Sequence, residues 1–285
     1  MKYAALTPLD YFATLVAEDK GLNLLEAAIS LAQDEHPNLD VLAVLSAVDA
    51  LARRLRQRIP ADATPPERLQ LLTRFFHGEL GFAGNLNNYY AADNSFIHRV
   101  METRRGIPIT LAVLLLELGE QAGLRMSGVA FPGHFLVKCR VGLGEAVLDP
   151  FTGNSLSPAR LDERLAIYRQ GSGLPQDLEL PLEFFLQAAS KRQILARMLR
   201  NLKEVHRAAR DLPRQLAVQQ RLVVLLPHDA AERRDRGLVF DALGASGPAA
   251  DDLAFYLAEC GSAPDAPALQ ERLTVLLERR SPPLQ

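Results

Sequence analysis

The 285-residue chain carries 32 basic and 34 acidic residues, a formal net charge of −2, and its 48% hydrophobic content is ordinary for a soluble globular protein. No bulk positive charge draws it toward nucleic acid, so no nucleic-acid partner is expected. Its two cysteines, Cys139 and Cys260, stand far apart, forming neither a disulfide framework nor a metal-binding pair, which fits a reducing cytoplasm.

The N-terminal stretch MKYAALTPLDYFATLVAEDK is interrupted by acids and a proline, unlike a signal peptide. No run of about 18 apolar residues suggests a membrane span. A cytoplasmic location without membrane association is expected. The segment 1–64 reads as helical. Leu24, Ala28 and Leu31, then Leu42, Leu45, Val48 and Leu51, recur every three to four positions, Pro37-Asn38 ends one helix, and Asp40 is placed to cap the next. The arginines of Arg53–Arg58 read as a solvated helix face, as do those of Arg233–Arg236 later in the chain.

From residue 65 to 165 helices and strands mix. LQLLTRFFHGELGF reads as a helix that stops near Gly78 or Gly81, and the polar stretch after it as a long loop with a short helix following Asn94. PITLAVLLLELGEQAGL is apolar on nearly every side, opens with Pro108 at the first helical position and closes at Gly123. SGVAF, HFLVKC and EAVLD are short strands separated by Pro-Gly and Gly-Leu-Gly turns. After a linker at 166–180, residues 181–285 read as helical again. Leu202 and Gly237, Arg207 and Ala242, and Leu222 and Leu257 each stand 35 positions apart, with Pro227 and Pro264 closing the two units. A helix-turn-helix period of about 34 ending in proline resembles tetratricopeptide repeats.

The chemistry concentrates in RRGIPIT, PGHFLVK and VLDPF. HFLVKC and EAVLD, joined by about four to six residues around Gly142 and Gly144, predict an antiparallel hairpin. With Lys138 opposite Glu145, His134 falls opposite Asp149 on one face, with Cβ atoms about 5 Å apart. Such an aspartate could fix the tautomer and orientation of an imidazole. A Cys–His–Asp thiol enzyme needs its cysteine at a helix N-terminus, where the dipole lowers the thiol pKa, and the helix opening at Pro108 has none. Cys139 is no substitute. Its odd offset from His134 along one strand puts the two on opposite faces, about 16 Å apart.

Thr110 is the nearest hydroxyl, either a nucleophile for an adjacent base or a group that caps the first turn. Arg105 could hold a carboxylate in a cleft or make a surface ion pair. Tyr89 and Tyr90 could line a groove or cover the core, and Asn94 offers turn and capping groups or a binding amide. His36, His77 and His98 have no metal-ligand spacing and receive no role; no metal or cofactor is expected.

GNLNNYYAADNSFIHRVMETRRGIPITLAVLLLELGEQAGL, GVAFPGHFLVK and LDPF together resemble the SirB-type proteins of the transglutaminase-like superfamily, which carry a C-terminal tetratricopeptide segment. The resemblance covers nearly the whole chain. It implies an α+β fold, with a papain-like core and small antiparallel sheet, a helical N-terminal region and C-terminal repeat-like helices. In active members a small residue, any residue and then a cysteine open the buried helix. Gly106-Ile107-Pro108 puts proline in that place, while His134 and Asp149 match the rest of the triad.

The expected function is therefore non-catalytic: a protein- or peptide-binding module of regulatory kind. The rival is a hydrolase or acyltransferase using Thr110, or a water activated by His134 with Asp149. A third reading makes only the helical repeats functional, as a scaffold.

Overall fold

The computed structural model describes residues 6–172 and 180–280. A capping box opens its first helix: Thr7 accepts from the Asp10 N–H, Asp10 reaches back to Thr7, and Pro8 takes the first helical position, so α1 runs Pro8–Leu15. Asn23 caps α2 (Leu24–Ser30) and Asp40 caps α3 (Val41–Arg56) in the same way. The first of these stops at Ser30, earlier than Pro37 led us to expect, and continues as turns. Helix α4 (Pro65–Thr73) runs straight into a π-helical stretch, Arg74–Glu79, a local widening that often accompanies functional sites. It ends at Gly81, whose φ of +71° only glycine adopts cheaply.

Two very short strands then pair in parallel, β1 (Ala83–Gly84) with β2 (Arg105–Gly106). The chain between them makes a 3-10 turn at Ala92–Ser95 and α5 (Ile97–Thr103). Helix α6 (Pro108–Gln121) is buried along most of its length, which explains why its sequence lacks a polar face. It packs against a four-stranded antiparallel sheet in the order β3 (Met126–Val129), β4 (Leu136–Val141), β5 (Gly144–Leu148) and β6 (Ser155–Leu156). Strand alternation sorts the two faces. Val137, Cys139 and Leu148 join the core around α6, while Leu136 and Val147 meet Leu161 and Leu165 of α7 (Pro158–Ser172). The expected linker at 166–180 thus begins inside α7, and its residues 173–179 lie outside the described residues.

After the short α8 (Leu182–Phe185) come α9 (Lys191–Ala208), α10 (Leu212–Leu225), α11 (Ala230–Ala242), α12 (Ser246–Glu259) and α13 (Ala266–Arg280). The apolar faces of α9 and α10 do not form a core of their own. Leu195, Leu199, Leu202, Leu222 and Leu225 belong to the same buried cluster as Phe12, Leu55 and Leu111, whereas α12 and α13 close a separate one around Leu253 and Leu273. Arg221 of α10, only 1% exposed, fastens this junction: its Nε donates to Asp34 Oδ2 at 2.7 Å and its guanidinium lies over the Phe12 ring.

Candidate functional site

His134 sits just before β4, on a turn that Gly133 makes with a φ of +68° and that the His134 N–H closes onto the Phe131 carbonyl. The hairpin beyond it differs from the sequence expectation. Val141 pairs with Gly144 and Lys138 with Val147, so the loop is a two-residue turn at Gly142-Leu143 and the register is displaced by two from the expected one. Gly142, at φ +58°, takes the first central position of that turn, where glycine permits the tight reversal. An even displacement leaves every side chain on its own face, and the turn before β4 brings the imidazole back toward the end of β5.

The His134 Nε2 lies 2.8 Å from Asp149 Oδ1. Asp149 is 1% exposed, and its carboxylate also accepts the Phe151 N–H at 3.0 Å and Arg164 Nη2 of α7 at 3.0 Å. Burial would raise its pKa, but the His134 hydrogen bond and charge, then Arg164 and the Phe151 N–H, outweigh it and bring the value from 3.8 down to about 2. At neutral pH Asp149 is an acceptor only, so Nε2 carries the imidazole proton and a neutral His134 keeps its lone pair on Nδ1. The side chain of His134 remains 23% exposed.

Phe151 joins this pair to the rest of the cleft. Its ring stands 6.5 Å from that of His134 and 6.1 Å from that of Tyr89, and it lies on Gly84, where an added Cβ would come within 2.2 Å. His77, on the π-helical stretch, supports the other side. Its Nδ1 meets the Phe82 carbonyl at 2.8 Å and its ring covers Gly153. Burial lowers its pKa, against the pull of the Phe82 carbonyl and the Asp149 charge.

At the start of α6 the side chain of Pro108 is buried and supplies no nucleophilic atom. Thr110 does not replace it. Its hydroxyl, fully buried, accepts the Ile107 N–H at 3.2 Å and shares its proton between Asn94 O at 2.7 Å and Ile107 O at 3.0 Å. Among the described residues none of its hydrogen bonds reaches His134; they are those of a group that caps the first turn, one of its two expected roles. Free N–H groups at a helix start need an acceptor, and the third helical residue supplies it here. Cys139 is buried in the α6 core with its thiol pKa raised by desolvation, and Cys260 lies at the end of α12.

Two expected binding groups are likewise spent on the fold. The Asn94 amide donates to Asn88 O at 2.5 Å and Tyr89 O at 3.1 Å, and accepts from Asn85 at 2.9 Å, bonds that shape the loop. Arg105 points its Nη1 at the Gly81 and Arg104 carbonyls, at 2.6 and 2.9 Å, because β2 lies beside the end of the π-helical stretch. Tyr89 and Tyr90 stay open, 42% and 81% exposed, with their rings 5.2 Å apart. With Ile107 they form one side of a cavity of 320 Å³ whose other side is α9, at Asn201, Val205 and Ala208.

Sequence reasoning missed Arg164, Phe151 and His77. Phe151 stands in LDPF, two residues after Asp149, and could have been found there. Arg164 is one arginine among several on α7, and His77 had no visible partner. Among the described residues no cluster of three or more His, Cys, Asp or Glu could hold a metal, and no helix is long and apolar enough to cross a membrane.

Comparison with known proteins adds two family-model matches: transglutaminase-like superfamily over residues 42–200 and tetratricopeptide repeat over residues 202–274. A UPF0162 protein of Xylella fastidiosa is 35% identical over 84% of this chain and 85% of its own length. UPF0162 protein YchA of Escherichia coli is 27% identical over 81% and 82%, and Protein SirB1 of Salmonella typhimurium 24% over 83% and 86%. No solved structure matches the chain.

Proposed function

Because the chain belongs to the transglutaminase-like superfamily, within the UPF0162 family, we propose that it is a non-catalytic member whose cleft binds a peptide segment of a protein partner. The observation that carries this reading is the start of α6. Proline stands where the resemblance places the thiol, and the nearby Thr110 hydroxyl is committed to three backbone groups. What persists is a binding surface: a half-open imidazole held by a buried carboxylate, a run of aromatic rings and a cavity beside them. The tetratricopeptide match over 202–274 supports a protein partner, since stacked helix pairs present extended surfaces for such partners. A cytoplasmic setting belongs to the same reading, because its two free thiols suit a reducing compartment.

The intact His134–Asp149 pair favours one second reading, hydrolysis by a water that Nδ1 activates. Both are tested by incubating immobilised peptide libraries with the full chain and analysing bound and released peptides by mass spectrometry. Binding without turnover, weakened by His134→Ala, is expected. Cleavage or acyl transfer that His134→Ala abolishes would replace the binding reading with the hydrolytic one.

A further inference from the structure

The cavity beside the tyrosines has a wall on α9 where some polar groups have no hydrogen-bond partner among the described residues. Arg197, Asn201, Val205 and Ala208 follow one another at three- and four-residue steps on α9 and so share a face. Three of them line the cavity, and Arg197 stands one turn earlier, half-buried, near enough to Tyr89 for its charge to act on the phenol. The other cations of this helix are engaged. Arg192 holds Asp19 and two carbonyls, Arg200 and Lys203 hold Glu232, and Arg207 closes on Glu204 at the cavity rim. Neither the Arg197 guanidinium nor the Asn201 amide has any partner among the described residues.

A half-buried guanidinium is partly dehydrated, and a carboxylate restores what it has lost by accepting two parallel N–H bonds. Ser95 and the mutually neutralising Glu204–Arg207 pair complete an otherwise apolar and aromatic lining, and its volume suits a side chain or two rather than a folded surface. We propose that this cavity takes a carboxylate of the bound peptide, with Arg197 as its counter-charge. Asn201 then bonds the adjacent peptide group, while Tyr89 and Tyr90 cover a neighbouring apolar side chain. The inference rests on the peptide-cleft reading above and names the chemistry that would select the peptide.

The test uses the full chain and fluorescein-labelled heptapeptide libraries in four forms: acidic side chains present or replaced by their amides, each with a free or an amidated C-terminus. Fluorescence anisotropy is expected to show binding wherever a carboxylate remains, with the two mixed forms separating an acidic side chain from a chain end as its source. Arg197→Gln should weaken that binding about tenfold and erase the preference for acids, with Arg197→Lys between. Arg53→Gln, a change at an exposed arginine of α3, should leave both intact. Since Arg197 has no hydrogen-bond or ion-pair partner among the described residues, its loss should not move the thermal unfolding midpoint; if it does, Asn201→Leu provides the second variant. Equal binding of acidic and neutral libraries, or a preference that survives Arg197→Gln, would overturn the carboxylate inference while leaving the cleft. Absence of binding by all four libraries would overturn the cleft reading and this inference together.

Discussion

Arg164 of α7 reaches Asp149 Oδ2 at 3.0 Å, opposite the oxygen that His134 uses, so the carboxylate that orients the imidazole is held from both sides. A buried carboxylate with one partner would be costly; with a guanidinium, an imidazole N–H and a backbone N–H it is a fixed point. The end of β5, the turn before β4 and α7 are thereby drawn to one spot.

Replacing Asp149 by Asn should therefore cost about 1.5–3 kcal/mol, because the charge-assisted bonds from the partly exposed Arg164 and from the Phe151 N–H are weakened. The acid response follows from the same carboxylate. Its pKa is 3.8 when free and about 2 when folded, so the unfolded chain takes up the proton first. The stabilisation, roughly 2 kcal/mol, is present above the free value and disappears as pH falls toward the folded one. Denaturant titrations across that window should show the decline in the wild type and a flatter response in Asp149→Asn. An unchanged acid slope in the variant would contradict this assignment.

Gly84→Ala should be poorly tolerated although the change is a single methyl. The new Cβ would come within 2.2 Å of the Phe151 ring, which must move away from His134 and Tyr89. A loss of about 1–3 kcal/mol is expected, as for other overpacked sites. In a Phe151→Ala background most of that cost should vanish, a non-additivity that a double-mutant cycle of unfolding midpoints would measure. Strict additivity would show that the contact is relieved elsewhere.

For Thr110 the informative comparison is Val against Ser. Valine keeps the shape but leaves the Ile107 N–H and the Asn94 carbonyl only their long 3.5 Å bond to each other, at a cost of about 1–3 kcal/mol. Serine preserves both bonds and should stay within about 1 kcal/mol of the wild type. Peptide binding by Thr110→Ser should match the wild type when measured by anisotropy. A selective loss of turnover in Thr110→Val, with stability unchanged, would restore a chemical role to this hydroxyl.

His98 should confer a mild acid sensitivity on the junction between the N-terminal helices and α5. It is 8% exposed, its ring centroid lies 4.5 Å from that of His36, and its buried Nδ1 has no hydrogen-bond partner among the described residues. Burial lowers its pKa below 6.5; His36 and Arg99 push the same way, and Glu102 and Asp93 oppose them. The unfolded chain again takes the proton first, so this contribution is complete above 6.5 and fades as pH falls through the folded value. His98→Phe should flatten the dependence of the unfolding midpoint between about pH 7 and 5. A profile identical to wild type would place the sensitivity elsewhere.

What could be read in advance depended on the range of the interaction. Pro108 and Gly123 bracket α6 because proline and glycine act on their own backbone, and the strands after them follow from alternation. The two-residue displacement in the hairpin escaped detection because Gly142 and Gly144 permit several turns, and parity is blind to an even slip. The local bonds of Thr110 and Asn94 match the capping and turn roles that their sequence offers, whereas Arg164 and His77 depend on which segments meet in space, and local sequence carries no mark of that. The parallel pairing of β1 with β2 escaped for a simpler reason. Two residues are too few for any periodicity to register.

The common core that α9 and α10 share with the first helices has a genetic consequence. A stop codon between Lys191 and Leu225 would strip α1, α2 and α6 of helices that pack on them, so such an allele should behave as a complete loss of the protein. One placed after Pro227 spares that core and sacrifices only the outer cluster around Leu253 and Leu273. Alleles of the second kind are the ones that could separate what the outer repeats do from what the cleft does.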